Sequence, residues 1–101
     1  MSSDPLQPRI DLHAHTVTVN AGARLMKLTQ SIVTNAPERL SVLHEIHVHD
    51  DVRIGYYRCI IYDAGGKKVS HIFDIPILLE MRDTWREYVE KRVNKMIGEL
   101  K

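Results

Sequence analysis

Five of the six histidines of this chain fall in two groups, His13-x-His15 and His44-x-x-His47-x-His49. Both groups sit in segments where apolar and polar residues alternate with the period of a β-strand. Two residues along a strand, side chains return to the same face about 7 Å apart. Each His-x-His pair therefore projects two imidazoles one way, a spacing that one metal ion can bridge. If strands 10–19 and 40–50 are adjacent and in register, His13, His15, His47 and His49 make a site for Zn²⁺ or a similar ion. The competing expectation needs no coincidence of register: the four imidazoles decorate a solvated sheet face, and His44 is part-buried and hydrogen-bonded. Zn²⁺ is the one cofactor the residue pattern raises. Glu45 shares a face with His47 and His49, yet Glu45 and His49 lie about 13 Å apart along a strand, too far for one ion to take both.

The string Asp11-Leu12-His13-Ala14-His15-Thr16 resembles the opening metal-binding motif, DLHxHT on a strand, of the polymerase-and-histidinol-phosphatase family of phosphoesterases. The resemblance implies metal ligation by His13 and His15. It covers six residues, and Val17-Thr18-Val19 stands where that family commonly has Ser-Asp-Gly. Those enzymes are barrels well beyond this length, with further His, Asp and Glu ligands after successive strands. No activity is carried over from it, and no residue is assigned a catalytic role.

Cys59 is the single cysteine. His71 faces it if residues 52–62 and 67–75 pair as a hairpin, which raises a thiol–imidazole pair. A small buried apolar residue on a central strand is the plainer expectation. Tyr56, Tyr57 and Tyr62 with Arg53, Arg58, Lys67 and Lys68 raise nucleic-acid binding, since sheet aromatics stack bases and cations hold phosphate. The core order α-β-β-β-α is similar to the double-stranded-RNA-binding topology, which would imply an RNA partner. That family carries a Lys-rich cluster at the start of its last helix, where this chain reads Pro76-Ile77-Leu78-Leu79-Glu80-Met81. Strand tyrosines are also simply good β-formers.

The elements that position these residues follow from periodicity. Residues 1–9, with Pro5 and Pro8, read as a flexible lead-in to a single domain spanning 10–101. Residues 10–19 read as an edge strand. Asn20 is a candidate cap for a helix whose stripe is Ala21, Leu25, Leu28, Ile32 and Ala36, ended by Pro37. Residues 40–50 alternate, Asp50-Asp51 offers a tight turn, and 52–62 is the most β-prone segment, with Ile60 and Ile61 on opposite faces. Asp63-Ala64-Gly65-Gly66 is a hairpin signal, and Lys67 to Ile75 returns. The last segment is helical, either from about residue 77 or, through the capping box Thr84-x-x-Glu87, from about residue 84. One long helix with a kink near Asp83-Thr84 is the favoured form. The expected fold is α+β: an antiparallel sheet of three to four strands with a long C-terminal helix on one face, in the order β-α-β-β-β-α. Ile60, Phe73, Trp85 and Val89 are expected to be buried together.

The chain has 101 residues with 14 basic and 13 acidic side chains, so total charge does not mark it as a polyanion binder. The N-terminus has no apolar core of a signal peptide, and no run approaches the roughly 18 apolar residues of a membrane span. With one cysteine, a cytoplasmic setting without membrane contact is expected. The apolar stripe of the last segment exceeds what a small sheet covers, so Val93, Met96, Ile97 and Leu100 are expected to overhang and meet a second copy or another protein. The expected function is a non-catalytic protein-binding or regulatory module, homodimeric or with a partner. Its rivals are a His-x-His metal-binding protein or small metalloenzyme, and an RNA- or DNA-binding module.

Overall fold

A computed structural model describes residues 12–49 and 51–101. The expected lead-in, residues 10 and 11 of the expected first strand, and Asp50 lie outside the described residues. Strands β1 (Leu40–His47), β2 (Tyr56–Asp63) and β3 (Lys68–Asp74) form an antiparallel meander in the order β1-β2-β3. The register sets Ile46 beside Tyr57 beside Phe73, His44 beside Cys59 beside His71, and Val42 beside Ile61 beside Val69. Residues directly opposite share a face, so these nine side chains line one side of the sheet, and Tyr57, Cys59, Ile61 and Phe73 are buried there. At the predicted hairpin, Asp63 Oδ1 accepts from the backbone N–H groups of Gly65 (2.9 Å) and Lys67 (3.0 Å). Gly66 takes φ 88°, a left-handed conformation that glycine adopts without steric cost.

Helix α1 spans Leu12–Asn35 and corrects the expected N-terminal strand. The alternation of residues 12–19 misleads because Thr18, polar by type, is a core residue. Thr18, Gly22, Leu25, Thr29 and Val33 are all buried, at steps of four, three, four and four. The stripe predicted from residue 21 thus runs back another turn. The β-branched residues of 16–19 cost a few tenths of a kcal/mol each in a helix, and packing of the stripe overrides that. Two glycines let α1 approach the sheet. A Cβ on Gly22 would meet Ile46 side-chain carbons at 2.8–2.9 Å, and one on Gly55 would meet Thr18 Cγ2 at 2.8 Å.

The connection from β1 to β2 is longer than a tight turn. Asp51 opens a 3₁₀ turn (Val52–Ile54) by accepting from the Arg53 N–H at 2.9 Å, and β2 starts only after Gly55. After β3 come helix α2 (Ile75–Glu80), a 3₁₀ turn (Arg82–Thr84) and helix α3 (Trp85–Glu99). Both expected starts are therefore helix starts, and the continuous helix is replaced by two. Arg82 breaks it with φ 51°. Thr84 does not form the capping box: its hydroxyl donates back to the Met81 carbonyl at 2.8 Å.

Helices and sheet form two layers around one core. Leu25, Leu28 and Val33 of α1 meet Tyr57, Cys59, Ile61 and Phe73 of the sheet, Ile75 and Leu78 of α2, and the inner stripe of α3. That stripe includes Val89, Val93, Met96 and Ile97, with Leu100 just beyond it. Val93, Met96, Ile97 and Leu100, expected to overhang as an interface, are 0–8 % exposed within the single chain. The correction follows from the break at Arg82, which shortens the last helix, and from α1, which is long enough to cover it. Of the expected core four, Phe73 and Val89 are buried; Ile60 lies on the other face, and Trp85 only packs against the core's margin.

Candidate functional site

The four imidazoles of the predicted metal site do not converge. His13 and His15 are exposed on α1, where two residues turn about 200° around the axis and point the rings apart. His47 lies on the sheet face away from the helices, stacked on Tyr56 with ring centroids 4.7 Å apart and interplanar angle 9°. His49 stacks on His47 at 6.2 Å, and its Nδ1 accepts from the Asp51 N–H at 3.0 Å. Among the described residues no three His, Cys, Asp or Glu side chains gather in a way that could hold a metal ion.

His44 does form the part-buried, hydrogen-bonded site expected of it. Its Nδ1 lies 2.6 Å from the Tyr57 hydroxyl and its Nε2 lies 3.0 Å from Gln30 Oε1. An amide oxygen only accepts, so Nε2 carries the proton and Nδ1 accepts from Tyr57. The imidazole ties α1 to the central strand, and burial lowers its pKa. His71 sits opposite Cys59 in register, as expected, but its Nδ1 accepts from Arg92 Nε at 3.3 Å and its ring meets the edge of Phe73. Burial, then the charge of Arg92, lowers the His71 pKa against the opposing pull of Asp74 and Glu99. Cys59 is fully buried, and burial pushes its thiol up to about 11. A thiol so placed is a core residue rather than a nucleophile.

Of the four cations expected to hold nucleic acid, the two arginines are paired with carboxylates, and the four do not gather. Asp51 clamps Arg53, at 2.6 Å to Nη2 and 3.0 Å to Nε, and this bond holds the Asp51 carboxyl down at about 2. Arg58 Nη2 lies 2.6 Å from Glu45 Oε2. Lys67 and Lys68 sit at the β2–β3 hairpin, the far end of the sheet from Arg53, separated by the length of β2, roughly 25 Å.

What the structure does gather is the uncovered face of the sheet. Its rows are Ser41-Tyr62-Lys68, Leu43-Ile60-Ser70, Glu45-Arg58-Ile72 and His47-Tyr56-Asp74. Leu43 is 56 % exposed and Ile72 50 % exposed, with Ile60 part-exposed between them. The Glu45–Arg58 pair, to which the Tyr56 hydroxyl donates at 3.4 Å, lies alongside. Ile60 opposite Ile61 was the signal in sequence. It read as a strand buried on both faces, whereas all helices pack on one.

Compared with known protein families, curated proteins and solved structures, the chain matches none. No helix of the described residues is long and apolar enough to cross a membrane.

Proposed function

We propose that the protein is a non-catalytic binding module that self-associates through the open face of its sheet. The observation that supports this reading is the exposure of Leu43 and Ile72 on a face with no covering layer among the described residues. Burying apolar surface of this kind favours association by about 25 cal/mol per Å². The face carries opposite charges at its two ends, Lys68 in the first row and Asp74 in the last. A second copy turned end for end sets each Lys68 near the other chain's Asp74, the self-complementarity a two-fold contact requires. The face is about 20 Å along the strands and about 15 Å across. That is below the area of standard interfaces, so the association is reversible and weak, in the range of tens of micromolar.

Sedimentation velocity tests the reading. The unmodified protein is expected to shift from monomer towards dimer between about 5 and 200 µM. Leu43→Glu with Ile72→Glu abolishes that shift and leaves the melting temperature nearly unchanged, because both side chains are half-exposed. A sharp monomer at the highest concentration refutes the proposal.

A further inference from the structure

The molecule has a second chemically distinct surface, on the side opposite the open sheet. Helix α1 contains no aspartate or glutamate in its 24 residues. Its outermost stripe is Asn20, Arg24, Lys27, Ser31 and Thr34, at steps of four, three, four and three, and all five are exposed. Neither Arg24 nor Lys27 forms an ion pair among the described residues. Arg24, Lys27 and Ser31 line a groove of about 340 Å³ with Leu28, Trp85 and Arg86. Arg86, at the start of α3, adds a third cation and is shared with Glu90 at 3.1 Å. Trp85 and Leu28 give the groove an apolar wall, which strengthens the field of the cations beside it.

We infer that this stripe and groove bind the phosphate backbone of a nucleic-acid duplex. Cations flanked by hydroxyl and amide side chains, with no carboxylate on the same helix, are the groups that contact phosphate and sugar. The stripe from Asn20 to Thr34 is straight and about 21 Å long, matching a stiff polyanion with one charge per about 1.7 Å. An acidic membrane fits less well: among the described residues α1 exposes one large apolar side chain, Val19, and its apolar stripe is in the core, which leaves no amphipathic face to lie in a bilayer. An acidic protein fits less well because the stripe itself is polar throughout, and Trp85 and Leu28 beside it are part-buried and buried. Single strands are bound on stacking platforms, and the groove offers one part-buried ring. The surface reads phosphates and not base edges, so sequence preference is absent.

The test is fluorescence anisotropy of a labelled DNA duplex of about two turns, titrated with the protein across salt concentrations. Three cations on phosphate give a slope of log K against log salt of about −2.7. Affinity then falls about 40-fold from about 50 to 200 mM salt. Arg24→Gln with Lys27→Gln brings the slope to about −0.9 and weakens binding at least about tenfold at the lower salt. Lys67→Gln with Lys68→Gln, at the hairpin, leaves the slope unchanged. An RNA duplex is bound comparably, and a single strand of the same length more weakly. No binding at 50 mM salt overturns the inference, as does an unchanged slope in the Arg24, Lys27 variant or a preference for the single strand. Both substituted side chains are exposed, and a melting curve matching the parent confirms the fold. Self-association through Leu43 and Ile72 is a separate readout: the Leu43→Glu, Ile72→Glu variant keeps the duplex slope.

Discussion

Replacing Tyr57 by Phe removes one oxygen atom from the bridge that ties α1 to the central strand. In the parent, Tyr57 donates to His44 Nδ1, and His44 Nε2 donates to Gln30. Tyr57 is wholly buried, and burial raises its pKa above the ordinary phenol range, so it stays a donor at any pH the fold survives. In the variant, Nδ1 is left part-buried with no donor. An unsatisfied group of this kind costs about 1–3 kcal/mol. At about 2 kcal/mol, and about 4–8 °C per kcal/mol for a domain of this size, the melting temperature falls by about 8–16 °C.

The same bridge sets a pH dependence with a defined sign. Burial lowers the His44 pKa, and the bond from Tyr57 acts in the same direction because it favours the neutral ring. A histidine depressed in the fold has no effect on stability well above its unfolded value of about 6.5. As pH falls through 6.5 towards the folded pKa, the unfolded chain binds more protons, and stability is lost. His71 contributes with the same sign, through burial and then Arg92. Thermal melts of parent and variant, both in a His71→Gln background, at about pH 7.5 and 5.0 isolate His44. The parent loses stability in acid. The variant starts lower and loses less, since removing the donor moves the His44 pKa back up. Equal melting temperatures at pH 7.5, or a steeper acid loss in the variant, would refute the bridge as described.

Arg82→Gly should raise stability by up to about 1 kcal/mol, because φ 51° strains a side chain with a Cβ; a lower melting temperature contradicts this. Cys59 should resist a thiol reagent at about pH 8 in the native protein and react as the protein unfolds, since the thiol is buried and pushed up to about 11; rapid stoichiometric labelling of the folded chain contradicts it. Zn²⁺ in excess should leave the melting temperature unchanged, as His13 and His15 diverge on α1. Stabilisation by about 4 kcal/mol at a thousand times the dissociation constant, lost on changing His47 and His49 to Ala, would restore the metal site.

The sheet was readable in sequence because its signals are local. Alternation from Leu40, the turn chemistry of Asp63 to Gly66, and the returning strand all depend on neighbours a few residues away. The N-terminal half of α1 was not readable because its decisive contact is distant: Thr18 counts as core only where Gly55 lies against it. A threonine scored as polar turned a helical stripe into an apparent strand, and the His-x-His spacing acquired a meaning that depended on that strand. The interface assigned to Val93, Met96, Ile97 and Leu100 failed for a related reason. The stripe was real, but how much of it one chain covers depends on the length of α1 and on the break at Arg82. Strand residues on two faces told which side chains oppose each other, not which face the helices take. That is why Ile60 passed as core.

Charge shows the same gap between totals and places. The chain totals +1, which argued against polyanion binding. A total is an average over the molecule, while in physiological salt a bound phosphate feels charges within about 8–10 Å. From residue 38 onward acidic and basic residues are equal in number, and several pair across short distances, as Glu45 with Arg58 and Glu38 with Lys101. Helix α1 is excluded from that balance: its two cations face outward, no carboxylate shares the helix, and the nearest cation of α3 is Arg86. The field a ligand meets there is set by three side chains and one shared glutamate, Glu90. Glu90→Gln should therefore strengthen duplex binding several-fold at low salt, because it removes the carboxylate that Arg86 shares. A Glu90→Gln protein that binds no more tightly would place Arg86 outside the phosphate contact and reduce the site to α1 alone.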